Sequence, residues 1–257
     1  MPGILLAVES STDWLSVALF EGDELLVLKE CEGSRLHASA LLPAIDEVLT
    51  GGSIGLDQIE AIGIATGPGS FTSLRIGLAT AKGLTLGREV AAVGVSTLEA
   101  MALRFFDDPV NEAECEVVTL LDARRGEWYA ASWLRNAAPT GLPIATLPEG
   151  LYATVRLSEQ CGEEAIVMTP DASSWQKACD QAPRPVGRFV AEKAARPRAD
   201  SVGRLAARRL RLGEGRPMSQ IEARYLRRAE AEAQRLGTAV EAGEVALIGK
   251  GEGPSRP

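Results

Sequence analysis

Between the first two apolar runs of this chain stands Glu9-Ser10-Ser11-Thr12-Asp13, a stretch of carboxylates and hydroxyls only. Hydroxyls and backbone amides in such a turn can hold a phosphate, with Glu9 or Asp13 on its magnesium. The same residue types are also what a plain polar hairpin prefers, and no glycine occurs from Ile4 to Glu21 to let the backbone approach a phosphate closely. A second group, Gly67-Pro68-Gly69-Ser70, precedes an apolar stretch of helical period. Free amides and the helix dipole make it a candidate anion site, although it lacks the Lys-Ser/Thr of a P-loop. The phosphate or nucleotide candidates are therefore Glu9, Ser11, Thr12, Gly67, Gly69 and Ser70. Arg75 follows one turn into that helix and suits an ion pair. His37 is the only histidine, which leaves no His-based metal site and no His-Glu-x-x-His zinc protease. No Gly-x-Ser-x-Gly elbow supports nucleophilic catalysis. Cys31, Cys115, Cys161 and Cys179 are widely spaced with no Cys-x-x-Cys pair, and read as reduced thiols.

The elements that must position these groups follow from periodicity. Gly3 to Val8, Leu15 to Phe20 and Glu24 to Leu28 are apolar, strand-like runs joined by turn residues, an antiparallel meander. Ser34 precedes a helix with apolar residues at Ala38, Leu41, Leu42, Ile45, Val48 and Leu49, ended by Gly51-Gly52 and bent at Pro43. Ala61 to Ala65, the Gly-Pro-Gly break and a helix capped by Ser70 form one strand-turn-helix unit; its buried face carries Phe71, Leu74, Leu78 and Ala81. That helix also holds Gly77, Ala79, Gly83 and Gly87, a density of small residues that costs up to about 1 kcal/mol per Gly relative to Ala. The offset must come from another backbone packed very close, in the chain's own core or in a partner. Val90 to Val95 is a further strand, and Ser96-Thr97-Leu98-Glu99 reads as a capping box for a helix through Phe106. Strands then begin again at Glu116 to Leu121 and Glu127 to Leu134 around Asp122-Ala123-Arg124-Arg125-Gly126. From Asn136 to Pro185 only a strand at Ala165 to Met168 is legible. A helix capped by Asp200 or Ser201 runs to Gly213, and the Glu/Ala/Gly-rich stretch from Ala229 reads as a loose tail. Two halves that each begin with strands and finish with a helix permit a distant duplication.

With 257 residues and 46% hydrophobic content the chain can bury a large core, in one large domain or two ordinary ones. No run approaches a membrane span, and the N-terminus lacks the pattern of a secretion signal, so a cytoplasmic, soluble protein with no membrane partner is expected. A net charge of −8 argues against indiscriminate nucleic-acid binding. Arg184 to Arg216 stands apart, with ten Lys and Arg against three Asp and Glu. It is either a solvated helix face or a phosphate-facing patch.

The string GPGSFTSLRIG, Gly67 to Gly77, is similar to the GPGSFTGLRIG signature of the TsaB (YeaZ) family of bacterial tRNA threonylcarbamoyladenosine biosynthesis proteins. LLAVESSTDWLSVAL, HASALLPAIDEVL, LDARRGEWYAA and EARYLR resemble further segments of that family in the same order. The resemblance implies an α/β fold of the actin, sugar-kinase and Hsp70 (ASKHA) superfamily. Two βββαβαβα-type subdomains with mixed sheets are expected at residues 1–105 and 106–228, followed by the tail at 229–257. It also implies a non-catalytic subunit that binds and activates a TsaD-like catalytic subunit, alongside a TsaE-like ATPase, in N6-threonylcarbamoyladenosine (t6A) formation on tRNA. ATP and metal would then belong to the partner subunits and no cofactor to this one. In the family the two N-terminal helices make the partner contact, and the same surface forms homodimers. Carried onto this sequence, that surface is His37, Leu41, Leu42, Ile45, Leu74, Arg75, Leu78, Ala81 and Lys82. The alternative is a small ASKHA-type phosphotransferase or ATPase using its nucleotide cleft. Three departures bear on these expectations: Ser73 replaces a signature glycine, Glu9 stands where the superfamily has a magnesium-linked aspartate, and Met168-Thr169-Pro170-Asp171-Ala172-Ser173 replaces a Gly-rich turn.

Overall fold

Short apolar runs, most of them buried on both faces, build two mixed sheets with the same internal order. The computed structural model describes residues 3–33, 37–111, 115–180, 187–190 and 192–227. The expected cap at Ser34, the start of the basic stretch at Arg184 and the tail from Ala229 lie outside them. The first half runs β1 (Ile4–Glu9), β2 (Trp14–Glu21), β3 (Glu24–Glu32), α1 (His37–Gly51), β4 (Ala61–Gly67), α2 (Phe71–Leu84), β5 (Ala91–Ser96) and α3 (Thr97–Phe106). The second runs β6 (Val117–Asp122), β7 (Glu127–Leu134), β8 (Ile144–Ala153), α4 (Thr154–Gln160), β9 (Ile166–Met168), α5 (Ala172–Cys179), β10 (Arg188–Phe189), α6 (Glu192–Ala195) and α7 (Ala199–Arg211), closing with β11 (Arg216–Pro217). The first sheet is ordered β11-β5-β4-β1-β2-β3 and the second β10-β9-β6-β7-β8. In each, the first strand pairs antiparallel with the second and parallel with the fourth. Leaving β11 aside, the second sheet repeats the first strand for strand, the duplication that the sequence permitted.

The final helices of the two halves are exchanged. In the first sheet Ile4, Leu6, Val8, Val17, Leu19, Ile62 and Ile64 face α1 and α2, while Leu5, Ala18, Phe20 and Ala61 face Val202, Leu205 and Ala206 of α7. Successive strand residues point to opposite faces, so both sides of this sheet are dry. Gly63 lies against Ala206 and Gly203 against Phe20, where added Cβ atoms would come within 2.6 and 2.2 Å. The helix therefore packs nearly backbone to backbone on a sheet built from the other end of the chain. Helix α3 takes the reciprocal place: Leu98, Met101, Ala102 and Phe105 enter the core of the second sheet, and Ala100 and Leu103 that of the first. Nine of its ten residues are buried, which accounts for a helix apolar nearly all round. On the far side of the second sheet, Leu157 of α4 and Trp175 of α5 pack on Val118, Leu120, Trp128 and Val167.

Helix ends explain where the expected caps hold and where they do not. Ser70 accepts the Ser73 N–H at 3.4 Å and caps α2 as expected. Ser96 accepts the Glu99 N–H at 3.3 Å, but the Glu99 carboxylate turns to Arg209 instead of closing the box. Helix α7 begins before Asp200: its Ala199 N–H donates to Ser16 Oγ of β2 at 2.8 Å, and Asp200 pairs with Arg198. Pro43 lies within α1, exposed, and the helix continues through it. The basic stretch is engaged within the chain. Arg196 pairs with Glu32, Arg208 and Arg204 with Asp107, Arg209 with Glu99 and Arg211 with Asp23. Its described arginines on α7 therefore staple that helix to the first half, and do not form an open phosphate-facing row. The four cysteines are free thiols, as expected. Among the described residues no helix is long and apolar enough to cross a membrane.

Candidate functional site

A cleft of about 730 Å³ opens between the two halves, walled by residues 11–14 and 68–72 on one side and 121–125 and 170–171 on the other, with 224–227 along its rim. The first polar turn and the Gly-Pro-Gly-Ser break, distant in sequence, meet here. Ser70 N–H donates to Ser11 O at 2.7 Å, and a Cβ on Gly69 would stand 2.1 Å from that oxygen. Ser10 Oγ donates to Ser73 O at 3.3 Å, and a Cβ on Gly77 would stand 2.2 Å from Ser10 Oγ. At Gly69 and Gly77 the close-packed backbone expected for α2 is thus the chain's own first hairpin. Ser73, in place of the signature glycine, is accommodated because its hydroxyl donates to Ser70 Oγ at 3.0 Å.

Glu9 ends β1 beneath this turn, fully buried. Its Oε1 accepts the Ser11 N–H at 2.6 Å, and its Oε2 has no partner. Burial, opposed by the neighbouring Ser11, pushes its carboxyl from the ordinary 4.5 up to about 7. Among the described residues no group of three or more His, Cys, Asp or Glu is placed to hold a metal ion. The raised value has a sign that can be tested. Protonated Glu9 favours the folded state, so its contribution is complete below about pH 4.5 and is lost as pH rises through about 7. Glu9→Gln should therefore gain stability relative to the parent as urea midpoints are compared from pH 5 to pH 8; parallel pH profiles would show that Glu9 ionises freely.

The remaining polar groups of the turn divide between structure and cleft. Thr12 Oγ1 accepts the Trp14 N–H at 3.4 Å, a local turn bond. The Ser11 hydroxyl borders the cleft, buried and unpartnered. Opposite, Asp122 Oδ1 accepts the Arg124 N–H at 2.6 Å in a turn where Arg124, Arg125 and Gly126 have φ of 64°, 60° and 75°. Three successive left-handed residues, two of them arginines, form a strained turn pressed against a cleft. Asp171 faces Asp122 and Asp13; burial, followed by those carboxylates among others, holds its carboxyl above the usual range despite a backbone bond from Asp122. Asp122, Arg124, Arg125, Asp171 and Arg224 were not among the sequence candidates. The duplication was the available signal, since Asp122 to Gly126 occupies in the second half the place of Glu9 to Asp13 in the first.

The helix-face candidates require correction. Leu41, Ile45, Leu74, Leu78 and Ala81 are 1–7% exposed and belong to the chain's own core. Periodicity identified the inward face of α1 and α2, which packs on the first sheet, and not an outward one. His37 is also buried, its Nε2 unpartnered, at the start of α1 beside the Thr12–Asp13 turn; burial holds its pKa down against a bond to the Thr12 backbone and the Asp13 charge. Leu42 is 55% exposed, Lys82 is exposed, and Arg75 is exposed but stacked on Phe71. Leu86, just beyond α2, is 85% exposed and was not a candidate.

Two copies of one βββαβα-type unit with exchanged final helices, and a cleft between their first hairpin turns, define the ASKHA fold. A family model described as "TsaD: tRNA N6-adenosine threonylcarbamoyltransferase" matches residues 31–141. The chain is 39% identical over 132 residues to the tRNA threonylcarbamoyladenosine biosynthesis protein TsaB of Haemophilus influenzae, covering 51% of this chain and 54% of that protein. With TsaB of Escherichia coli it shares 37% identity over 133 residues, 51% of this chain and 55% of that one. YeaZ from Pseudomonas aeruginosa superposes with a TM-score of 0.74 at 26% identity, covering 87% of this chain and all of that one. Over these stretches the chain is similar to proteins of the TsaB/YeaZ family. Its aligned stretch spans about half the length of the curated relatives it matches.

Proposed function

We propose that this chain serves t6A biosynthesis in the cytoplasm as a non-catalytic subunit that docks and activates a TsaD-like catalytic subunit through the outward sides of α1 and α2. A TsaE-like ATPase and tRNA would join through that complex, ATP and metal would be held by the partners, and the same surface would pair two copies of this chain in the catalytic subunit's absence. The observation that carries the docking surface is the exposure of Leu42 on α1 and of Ala79, Lys82, Gly83 and Leu86 on and just beyond α2, Gly83 with open space where a Cβ would stand. Small residues on an outward helix face let a second helix approach closely, and the exposed leucines offer apolar area for a partner to bury.

Light-scattering mass of the full chain, alone and with the TsaD-like protein of its own organism, tests the reading. A mixed complex is expected, weakened at least roughly tenfold by Leu42→Glu together with Leu86→Glu. Both positions are exposed, so the variant should keep the parent's unfolding midpoint. Leu78→Glu would be a poor probe, because Leu78 is only 7% exposed and a charge there disrupts the core. Undiminished binding by the double variant, or no complex with the parent, would remove the proposal.

A further inference from the structure

The last described segment, 221–227, leaves the first half and fastens to the second along the rim of the cleft. On the first half, Arg224 N–H donates to Thr66 O at 2.8 Å, and the Arg224 carbonyl passes so close that a Cβ on Gly67 would lie 3.0 Å from it. The Tyr225 ring stands 4.7 Å from that of Phe71, and its hydroxyl accepts Arg75 Nε at 3.2 Å. The Arg75 guanidinium lies 3.7 Å over the Phe71 ring, which closes a three-member stack between the segment and the start of α2. On the second half, Arg224 meets Glu149 of β8 at 3.1 Å. Arg227 donates to Ala123 O at 2.6 Å and pairs with Glu127, both charged side chains being less than one-fifth exposed.

We infer that residues 221–227 act as a clasp that sets how far the cleft opens and couples the α2 surface to the strained turn at 124–126. The segment is tied to one wall by a backbone bond and an aromatic–cation stack, and to the other by two ion pairs. Arg227 grips the carbonyl of Ala123 and the carboxylate of Glu127, the residues that flank the left-handed Arg124-Arg125-Gly126. When Arg227 lets go, that turn loses its outside support, and opening it costs little because the backbone there is already strained. Arg75 gives the clasp an outward end: a partner or ligand that draws Arg75 off Phe71 loosens Tyr225 and, through it, the far wall. This inference concerns the cleft of the isolated chain and stands apart from the docking proposal.

Native-state hydrogen exchange on the full chain tests it, comparing the parent with Tyr225→Ala/Arg227→Ala. Amides at 66–72 and 122–127 should exchange roughly tenfold faster, while those in the middle of β4 and β6 keep the parent's rates, as local opening requires. Glu127→Gln removes the charge that Arg227 pairs with, without touching the segment, and should accelerate 122–127 in the same direction by a smaller factor. The clasp is overturned if 221–227 itself exchanges faster while 122–127 does not. It is equally overturned if both variants accelerate β4 and β6 as much as the turns, because the contacts would then be holding the fold as a whole.

Discussion

Gly69→Ala is expected to destabilise the chain by about 3 kcal/mol, the upper part of the range for forced overpacking. The added methyl would meet the carbonyl oxygen of Ser11 at 2.1 Å, with Ser11 C and Cβ both at 2.9 Å. Those atoms are backbone or next to it and cannot swing aside. That oxygen also accepts the Ser70 N–H, so retreat by either partner breaks the bond that ties α2 to the first hairpin. The helix cannot tilt away, because two turns further on Gly77 is pinned against Ser10 in the same manner. Gly83→Ala is the matching control on the same helix: nothing lies within 4 Å of its Cβ position, and about 0.5–1 kcal/mol of stabilisation is expected from helix propensity alone. Urea unfolding of both variants decides the matter. Equal midpoints would mean that the close approach of the two backbones is not what selects glycine at position 69.

Arg209→Met should cost more, about 3–5 kcal/mol at pH 8, the usual consequence of stranding one member of a buried ion pair. Arg209 reaches from α7 to Glu99 at 2.6 Å and to the carbonyl of Gly94 at 3.2 Å, and the Glu99 side chain is only 7% exposed. Burial already holds the Glu99 carboxyl above its ordinary range, with Arg209 the main opposing influence, Glu149 adding to the rise and Arg224 opposing it. A carboxyl raised in the folded state stabilises it while protonated, a contribution that fades as pH climbs through the folded value. Without Arg209 that value moves higher still, so the variant should recover part of its loss at pH 5 and lose it again toward pH 8. Arg209→Met/Glu99→Gln should abolish this pH dependence. A penalty identical at both pH values would show that Glu99 finds water instead.

The first hundred residues were legible because their elements obey simple periods. Strands β1, β2 and β4 are continuous apolar runs sealed on both faces, α1 and α2 carry i, i+3, i+4 patterns, and α3 announces itself by its Ser96 cap. The stretch from Asn136 to Pro185 resisted the same treatment for identifiable reasons. Strand β8 is a mostly exposed edge whose register against β7 shifts twice, so no clean alternation survives. Helix α5 fully buries only Trp175, with Ala178 and Cys179 partly buried beside it, too short a run to show a period. In the cleft, Glu9 to Asp13 and Gly67 to Ser70 were recognised by residue type, and Ser11, Thr12, Gly69 and Ser70 border it. The opposing turn was read only as a turn, since arginines in left-handed geometry leave no sequence mark as glycine does. The helix-face misreading is the more general lesson. A periodic apolar stripe reports mainly the face that the chain needs for itself; of the stripe residues on α1 and α2 named as contacts, Leu42 alone is exposed, and Leu86 lies beyond the stripe altogether.

The exchange of α3 and α7 also dictates an order of events on the ribosome. Leu5, Ala18 and Phe20 emerge early, yet the residues that cover them, Val202, Leu205 and Ala206, are made near the other end of the chain. At the usual rates of synthesis the interval is roughly 10–40 s. Through it the first sheet has one face covered by α1 and α2 and the other without its main cover, and Ser16 waits for the Ala199 amide that it will cap. Completion of the earliest strands is therefore a late, long-range step. Nascent chains stalled before residue 199 should be the ones that chaperones hold.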